Sequence, residues 1–241
     1  MQSSIYVGVS AQIALEQRLT TLAHNVANAT TTGFRAEEVR FETVMSSTAA
    51  NTVDFVTVGE SHISRNSGPL VHTSNPLDVA VVGDAWLAFE GPQGPVYTRD
   101  GRLTVTTTGD VTTINGYPVL DVGGSPLQVN PKGGKVAIGA DGMISQGGQQ
   151  VGALGLFSID GAAKLTRFEN SGVIPNQPAT PALDFKTIGV RQGYLEKSNV
   201  NPVTEMMRLI EISRAFEAVT SSLSNSQSTM KESIRTLGES K

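Results

Sequence analysis

The residues best suited to metal or acid–base chemistry are three histidines, His24, His62 and His72. None has a second histidine three to five positions away, so the sequence lacks the paired ligands that one helix face offers to zinc. The chain contains no cysteine, which excludes disulfides, thiolate metal sites and cysteine nucleophiles. We therefore expect no metal and no cofactor.

Two short patterns come close to a nucleotide or calcium site without completing it. The run PKGGK at 131–135 ends in a lysine followed by Val136, where a phosphate-binding loop requires Ser or Thr. The turn GADG at 139–142 lacks the alternating carboxylates of a calcium loop. The Gly-x-Ser-x-Gly pattern of a serine nucleophile is absent as well. We therefore expect a protein that is not an enzyme and has no small-molecule substrate.

One aromatic pair leaves a different function open. Trp86 and Phe89 lie in the stretch GDAWLAFEG, where they could stack on a ligand such as a sugar ring. Their alternation with Ala88 is also typical of a half-buried strand, and we favour that interpretation. A carbohydrate-binding or hydrolytic β domain with helical extensions is the alternative from another functional class.

Composition and charge narrow the class of protein. A net charge of −4 provides no basic surface for nucleic acid, so no nucleic-acid partner is expected. No stretch reaches the roughly 18–20 apolar residues of a membrane-spanning helix. The N-terminus has no positively charged start, and Gln12, Glu16 and Gln17 interrupt its apolar residues, so we expect no cleaved secretory signal.

Helical patterns occupy both ends of the chain. Over residues 3–30 the apolar residues follow the 4-3-4-3 spacing of a helix that packs on another helix. A second seam spans residues 202–237, with Asn201 as a capping residue, Pro202 at the first helical position and Gly238 as a stop. The seam residues of the first helix are Leu15, Leu19, Leu22, Val26 and Ala29. Those of the second helix are Leu209, Ile212, Phe216, Val219, Leu223, Ser226, Met230, Ile234 and Leu237.

The middle of the chain has the pattern of a β protein. Between residues 70 and 195, turn-forming pairs such as Asn-Gly and Asp-Gly separate short runs rich in Val and Thr, which predicts many short antiparallel strands. Residues 35–69 are predicted to form an extended connector with a strand or two near Val53–Val58. The predicted fold class is α+β, with N- and C-terminal helices pairing as a coiled-coil-like terminal domain and a central antiparallel all-β domain. The predicted domains are 1–34 (first helix and turn), 35–69 (connector), 70–195 (β domain) and 196–241 (last helix).

Four stretches resemble motifs of the flagellar rod and hook protein family, in matching order and spacing. LAHNVANATTTGFR (22–35) resembles the N-terminal motif, a helix that ends in Asn-x-x-Asn-x-x-Thr-x-Gly-Phe. NPLDVAVVGDAWLAF (75–89) and VYTRDGRLTVTTTGDVTTINGYPVL (96–120) resemble the central strand and hairpins. GYLEKSNVNPVTEMMRLIEISRAFEA (193–218) is similar to the C-terminal motif. The resemblance covers essentially the whole chain.

The resemblance implies a structural axial subunit of the bacterial flagellar basal body, in the periplasmic rod that transmits motor torque. It implies other rod subunits as partners, self-association in a helical assembly, and passage through the flagellar type III export apparatus without a cleaved signal peptide. Two subunit types of this length occur in the family, one in the proximal and one in the distal rod. The opening SSIYVGVSAQIALEQRLTTLAHNVAN and the continuation GFRAEEVRFE favour the proximal type, with the distal type as the alternative.

We predict that the contacts between subunits come from the helical seams and the turn after the first helix. Asn25 and Asn28 would fix the register by binding neighbouring backbone groups. Gly33 and Phe34 would form the turn, with Gly33 in a conformation that other residues resist. The predicted interface residues are Leu15, Leu19, Leu22, Asn25, Val26, Asn28, Gly33, Phe34, Leu209, Ile212, Phe216, Val219 and Leu223.

Overall fold

A computed structural model describes residues 2–46 and 53–238 of the chain. The chain divides into two compact units. The helical unit consists of Met1–Ala27, Glu37–His62 and Asn201–Lys241. The β unit consists of Asn28–Ala36 and Ile63–Val200.

Two long helices, α1 (Gln2–Ala27) and α2 (Pro202–Gly238), dominate the helical unit. The predicted helices at 3–30 and 202–237 are therefore confirmed, although α1 ends three residues before the predicted limit. Asn201 caps α2 as predicted, because its Oδ1 accepts hydrogen bonds from the backbone N–H groups of Val203 and Thr204 at 3.1 and 3.3 Å.

The two helices contact each other in antiparallel orientation. Gln12 Nε2 donates to Thr220 Oγ1 at 3.4 Å, and Gly8 lies against Leu223, so rising numbers in α1 face falling numbers in α2. Ala14 and Leu22 of α1 and Ile212 and Leu223 of α2 are buried. The α+β class with terminal helices and a central antiparallel β region is confirmed, while the coiled-coil form of the helix pairing stays a prediction.

Gly8 is expected to set how closely the helices approach. A methyl group at this position would lie 2.6 Å from Leu223 Cδ2 and 3.0 Å from Leu223 Cγ. Gly8→Ala should therefore destabilise the helical unit by about 1–3 kcal/mol through overpacking. In a Leu223→Ala background the same change should stabilise it by about 1 kcal/mol, because only the helix propensity of alanine remains. Thermal unfolding followed by circular dichroism of both single variants and the double variant measures this reversal of sign, and equal effects in both backgrounds would contradict the contact.

The helical unit also contains two strands, β1 (Glu37–Ser46) and β2 (Val53–Ile63), which pair as a two-stranded sheet. The strand predicted near residues 53–58 is part of β2. The whole of β1 was missed, because its charged residues obscure the alternation of the run EEVRFETVMS.

The β unit contains fifteen short strands. Its largest sheet has six strands in the order β13-β14-β6-β5-β12-β15, with every neighbouring pair antiparallel. A three-stranded sheet, β11-β10-β9, and the pairs β16-β4, β17-β3 and β7-β8 complete it. The strands are β3 (Leu70–His72), β4 (Val79–Val82), β5 (Trp86–Gly91), β6 (Gly94–Thr98), β7 (Leu103–Val105), β8 (Val111–Thr113), β9 (Val136–Ile138), β10 (Met143–Gln146), β11 (Gln149–Ala153), β12 (Leu156–Ser158), β13 (Leu165–Phe168), β14 (Gly172–Pro175), β15 (Thr180–Pro181), β16 (Gly189–Gln192) and β17 (Tyr194–Glu196).

Strand β5 separates two apolar cores in the β unit. Leu87 belongs to one core, together with Val79 and Leu156 among others. Trp86 and Ala88, on the opposite face of the strand, belong to the second core. The sequence WLAF was expected to form a half-buried strand, and this expectation was wrong, because β5 is buried on both faces between the two cores.

Candidate functional site

The segments that lead into the two helices lie side by side in the β unit. Residues 28–36 follow α1, and residues 196–200 precede α2. The backbone N–H of Gly33 donates to the Glu196 carbonyl at 2.8 Å, and the N–H of Asn199 donates to the Phe34 carbonyl at 3.3 Å. The Asn199 side chain then accepts from the Ala36 N–H at 2.7 Å. The ends of the N-terminal and C-terminal motifs are thus joined directly by hydrogen bonds.

Beneath these bonds lies a buried charge cluster, formed by Arg35, Arg99 and Glu196. Arg35 Nη2 is 2.7 Å from Glu196 Oε1, and Arg99 Nη1 is 3.2 Å from Oε2. All three side chains are at most 2% exposed. The Gly68 N–H also donates to Oε1 at 3.0 Å, so one carboxylate connects segments that are far apart in sequence.

Backbone carbonyls complete the cluster. Arg99 donates to the carbonyls of Val81 at 3.1 Å and Gly83 at 2.6 Å, and Arg35 Nη1 donates to the carbonyl of Arg65 at 2.9 Å. Such bonds from a planar guanidinium hold it in a fixed orientation. The cluster therefore ties the segment after α1 to strands β4 and β6 and to the loop before β3.

Burial has a clear electrostatic effect on the two arginines. Desolvation lowers the pKa of Arg35 to about 10, against the opposing effect of the Glu196 carboxylate. Desolvation also lowers the pKa of Arg99, again opposed by Glu196. Two guanidinium groups therefore share one carboxylate. Removing the carboxylate would leave both guanidinium groups without the anion that they contact, and Asp84 would be the remaining negative charge that acts on both.

Trp86 lies beside the buried charge cluster. The guanidinium carbons of Arg35 and Arg99 are 5.6 and 5.2 Å from its ring centre, within the range of cation–π attraction. Trp86 is 1% exposed, and Phe89, 5% exposed, stacks on Tyr117 at 5.3 Å. Neither aromatic face is available to a sugar, so this geometry does not support the carbohydrate-binding alternative.

Gly33 occupies a position that only glycine fits. Its φ is +68°, in the left-handed region that side chains disfavour. A Cβ at this position would overlap the backbone N of Asp100 and lie 2.5 Å from the carbonyl carbon of Arg99. Phe34, which follows, is fully buried with the Arg167 guanidinium 4.4 Å from its ring centre. The prediction of an unusual backbone conformation at Gly33 is therefore confirmed.

The structure divides the predicted interface residues into three groups. Those of α1 and of α2 belong to the helical unit, and the remaining three belong to the β unit. In α1, Leu22 and Asn25 are buried, and Leu15, Leu19 and Val26 are partly buried. In α2, Ile212 and Leu223 are buried, and Leu209, Phe216 and Val219 are partly buried. In the β unit, Asn28, Gly33 and Phe34 are all buried. Their contacts with other subunits stay a prediction.

The two asparagines form hydrogen bonds within the chain. Asn25 binds both backbone groups of Glu37, donating to its carbonyl at 2.8 Å and accepting from its N–H at 2.9 Å. The Asn28 side chain accepts from Thr31 Oγ1 at 3.1 Å. Asn25 thus fixes the start of β1 against the end of α1 in the helical unit.

Sequence reasoning missed Arg35, Arg99 and Glu196. A signal was present, because each is a charged residue inside a motif: Arg35 ends TTTGFR, Arg99 lies in YTRDG and Glu196 lies in GYLE. Charged residues next to glycines and apolar strand residues are candidates for buried pairs. Sequence alone does not reveal that these three motifs meet.

Both helices expose apolar side chains in regular stripes. On α1 the stripe is Tyr6, Val9 and Ile13, and on α2 it is Val203, Met206, Met207 and Ile210. The spacing of three and four residues places each set on one helix face. These stripes are apolar surface that the described part of the chain does not cover.

The described residues lack two further features. Within 2–46 and 53–238, no group of three or more histidine, aspartate or glutamate side chains is placed to hold a metal ion. Neither helix, over its described length, is long and apolar enough to cross a membrane.

Three family models match successive parts of the chain. Residues 5–35 match the flagella basal body rod protein family, and residues 80–146 match the D1 domain of the flagellar hook protein FlgE/F/G family. Residues 191–236 match the C-terminal family of the flagellar basal body rod FlgEFG proteins. The first match ends at Arg35 and the last contains Glu196, so two members of the buried charge cluster lie in the two terminal matches.

Full-length relatives decide the family. The flagellar basal-body rod protein FlgF of Rhizobium meliloti (strain 1021) is 47% identical over 241 residues, which cover both chains completely. The chain belongs to the FlgF family of flagellar basal-body rod proteins. FlgF of Mesorhizobium japonicum is 46% identical, with 99% of each chain covered. FlgG of Bacillus subtilis (strain 168) is 28% identical, with 97% of this chain and 98% of FlgG covered. The choice of FlgF over FlgG, made from the opening and the GFRAEEVRFE stretch, is thereby confirmed.

Proposed function

We propose that the chain is a structural, non-catalytic axial subunit of the proximal rod of the bacterial flagellar basal body, where it transmits motor torque. Full-length similarity to FlgF proteins supports the type of subunit. The proximal position follows from the resemblance to that subunit type. The distal rod is the alternative position, which the weaker similarity to FlgG keeps open.

The observation that carries the proposal is the pair of exposed apolar stripes on α1 and α2. Stripes of this kind are usually surfaces of assembly, because isolated soluble proteins rarely leave large apolar patches in water. We propose that the two stripes, which are different patches, contact two different neighbours in the rod. Contacts of this heterologous kind produce an open helical filament when the rotation between copies does not close a ring.

The buried charge cluster suits a subunit that transmits force. Both segments that continue into the helices are bound to the β unit by short hydrogen bonds and by the shared carboxylate of Glu196. A twisting force applied through either helix would therefore reach a packed β unit through bonds that are shielded from water. Close-packed interiors transmit strain because they are barely compressible.

The predicted interface residues take two roles in this proposal. The buried members, such as Leu22, Ile212 and Leu223, hold the subunit itself together. The partly buried members, such as Leu15, Leu19 and Phe216, extend the apolar surface that faces neighbouring subunits. We propose other rod subunits and further copies of this chain as partners, and no nucleic acid or small-molecule substrate.

We further propose that the chain reaches the rod through the flagellar type III export apparatus, without a cleaved signal peptide. The rod that it joins would lie in the periplasm. The absence of cysteine suits a chain that works outside the reducing cytosol, because no stray thiol can form a wrong disulfide there.

Purified hook–basal bodies test the proposal. We expect mass spectrometry to detect the chain in them, and antibody labelling to place it at the proximal rod. Labelling only at the distal rod would keep the mechanism and overturn the proximal position. Absence of the chain from intact basal bodies would overturn the proposed function.

A further inference from the structure

We propose that Asn115 is a site of chemical modification by deamidation, and that Glu169 protects it in the folded chain. Asn115 and Gly116 form the only Asn-Gly pair of the sequence, and both are exposed to solvent in the turn after β8. Glycine has no Cβ, so its backbone nitrogen is less shielded than that of other residues, and an asparagine before it readily loses its side-chain amide. Loss of this amide would affect the β unit whether or not the chain is built into a rod.

Deamidation requires the Gly116 nitrogen to attack the side chain of Asn115. The nitrogen bonds to Asn115 Cγ, the Cγ–Nδ2 bond breaks, and the proton of the Gly116 N–H leaves with the departing ammonia. Water then opens the five-membered imide at one of its two carbonyl carbons, with the hydroxyl going to that carbon and the proton to the nitrogen. The product is aspartate or isoaspartate, and no oxidant or reductant takes part.

Two hydrogen bonds hold the reacting groups of this pair in the structure. Asn115 Nδ2 donates to Glu169 Oε2 at 2.7 Å, and the Gly116 N–H donates to the Thr113 carbonyl at 2.9 Å. Departure of the amide as ammonia requires the first bond to break, and deprotonation of the Gly116 nitrogen requires the second to break. The folded turn is therefore expected to deamidate more slowly than the same sequence in an unfolded chain.

Glu169 is held beside Asn115 by more than this one bond. Its φ is +50°, in the left-handed region that residues other than glycine rarely adopt. Its second oxygen, Oε1, accepts from the Tyr117 hydroxyl at 2.8 Å. Phe168, directly before it, packs edge-on against the Tyr117 ring with the ring centres 5.9 Å apart. An unfavourable backbone conformation thus places the carboxylate where both of its oxygens accept a hydrogen bond.

Deamidation would open the contact that Glu169 makes. An aspartate at position 115 would bring a second carboxylate to Glu169 in place of an N–H donor, and two like charges repel each other. An isoaspartate would in addition lengthen the backbone of the turn by one carbon. The contact between the turn after β8 and the turn that joins β13 to β14 therefore depends on an intact Asn115 amide.

Peptide mapping by mass spectrometry tests the protection. The full-length chain and its Glu169→Ala variant are incubated in mildly alkaline buffer, and conversion of the amide to an acid is followed in the tryptic peptide 103–132, with fragment ions assigning the position. The other asparagine of that peptide, Asn130, precedes Pro131, which has no backbone N–H and cannot attack in this way. We expect Asn115 to deamidate about tenfold faster in Glu169→Ala, the effect of losing one hydrogen bond to a charged group.

Tyr117→Phe is the matched control, because it removes the other hydrogen bond to Glu169 and leaves that of Asn115 in place. Its rate of deamidation should stay close to that of the unchanged chain, and Trp86 fluorescence reports that each variant is folded. In urea, the unchanged chain and Glu169→Ala should deamidate at the same rate, faster than the folded unchanged chain.

Three outcomes would contradict the protection by Glu169. Equal rates for the folded unchanged chain and folded Glu169→Ala would overturn it. An equally large rise in Tyr117→Phe would show that loosening of the turn, rather than loss of the bond to Asn115, sets the rate. Absence of deamidation at Asn115 in urea would overturn the modification site itself.

Discussion

Glu196→Gln should lower the free energy of unfolding of the β unit by about 3–5 kcal/mol, because it removes one partner of a buried charge network. Glutamine keeps the shape of glutamate and can still accept from the Gly68 N–H, so the loss is mainly that of charge. Arg35 and Arg99 would then be two buried cations with no anion in contact. A loss of this size is a large part of the 5–15 kcal/mol that stabilises a typical domain.

Trp86 provides the measurement for this prediction. It is the only tryptophan of the chain and touches the buried charge cluster, so its fluorescence during urea unfolding follows the β unit alone. Glu90→Gln is the matched control, because Glu90 is exposed and its replacement removes the same charge. Similar urea midpoints for the two variants would show that the carboxylate of Glu196 does not stabilise the fold.

A triple variant separates charge from packing. Replacing all three members of the cluster by apolar residues of similar size, as Arg35→Met, Arg99→Met and Glu196→Leu, removes every buried charge together. Such replacements of buried ion networks are often neutral or stabilising. We therefore expect the triple variant to be more stable than Glu196→Gln alone, although it carries three changes.

The elements that sequence could predict are those with a strong local pattern. Helix α1, the cap at Asn201 and the turns at Asn115-Gly116 and Asp141-Gly142 each depend on neighbours in the chain, and they occur in the structure as expected. The pair Asp100-Gly101 was also expected to form a turn, and it does not. Strand β1 has no such pattern, because charges interrupt its apolar residues. Its position depends instead on Asn25, which binds both backbone groups of Glu37 from twelve residues away.

The buried charge cluster could not be predicted from the sequence, because its members are neighbours only in the folded chain. Arg35 and Glu196 are 2.7 Å apart in space and lie at opposite ends of the sequence. No periodicity or spacing connects them, since their contact depends on how β6, β17 and the segment after α1 come together. The conformation of Gly33 could be predicted, because a Thr-x-Gly-Phe turn indicates a residue in the left-handed region. The sequence does not indicate that the backbone of Arg99 and Asp100 packs against it.

Gly33→Ala should destabilise the β unit by about 2–5 kcal/mol, and we expect it to abolish swimming motility. Two costs add up. The left-handed conformation alone costs an alanine at a φ of +68° about 1–2 kcal/mol. Its Cβ also overlaps the backbone of Arg99 and Asp100, and backbone atoms cannot rotate away as a side chain can, which adds about 1–3 kcal/mol.

Gly116→Ala is the control that separates these two costs. Gly116 has a φ of +87°, and a Cβ there would meet no atom within 4 Å. The Gly116→Ala variant is therefore destabilised by the backbone conformation alone. The difference between the two variants in urea unfolding, followed by Trp86, measures the close approach at Gly33. If Gly33→Ala and Gly116→Ala lost the same stability, only the backbone conformation at Gly33 would require glycine. The hydrogen bond from the Gly33 N–H to the Glu196 carbonyl would then survive the substitution. If Gly33→Ala alone also stopped motility, the hydrogen-bonded contact between the two motifs would be what the assembled subunit requires, because Gly33 is buried against Arg99 and Asp100 of its own chain.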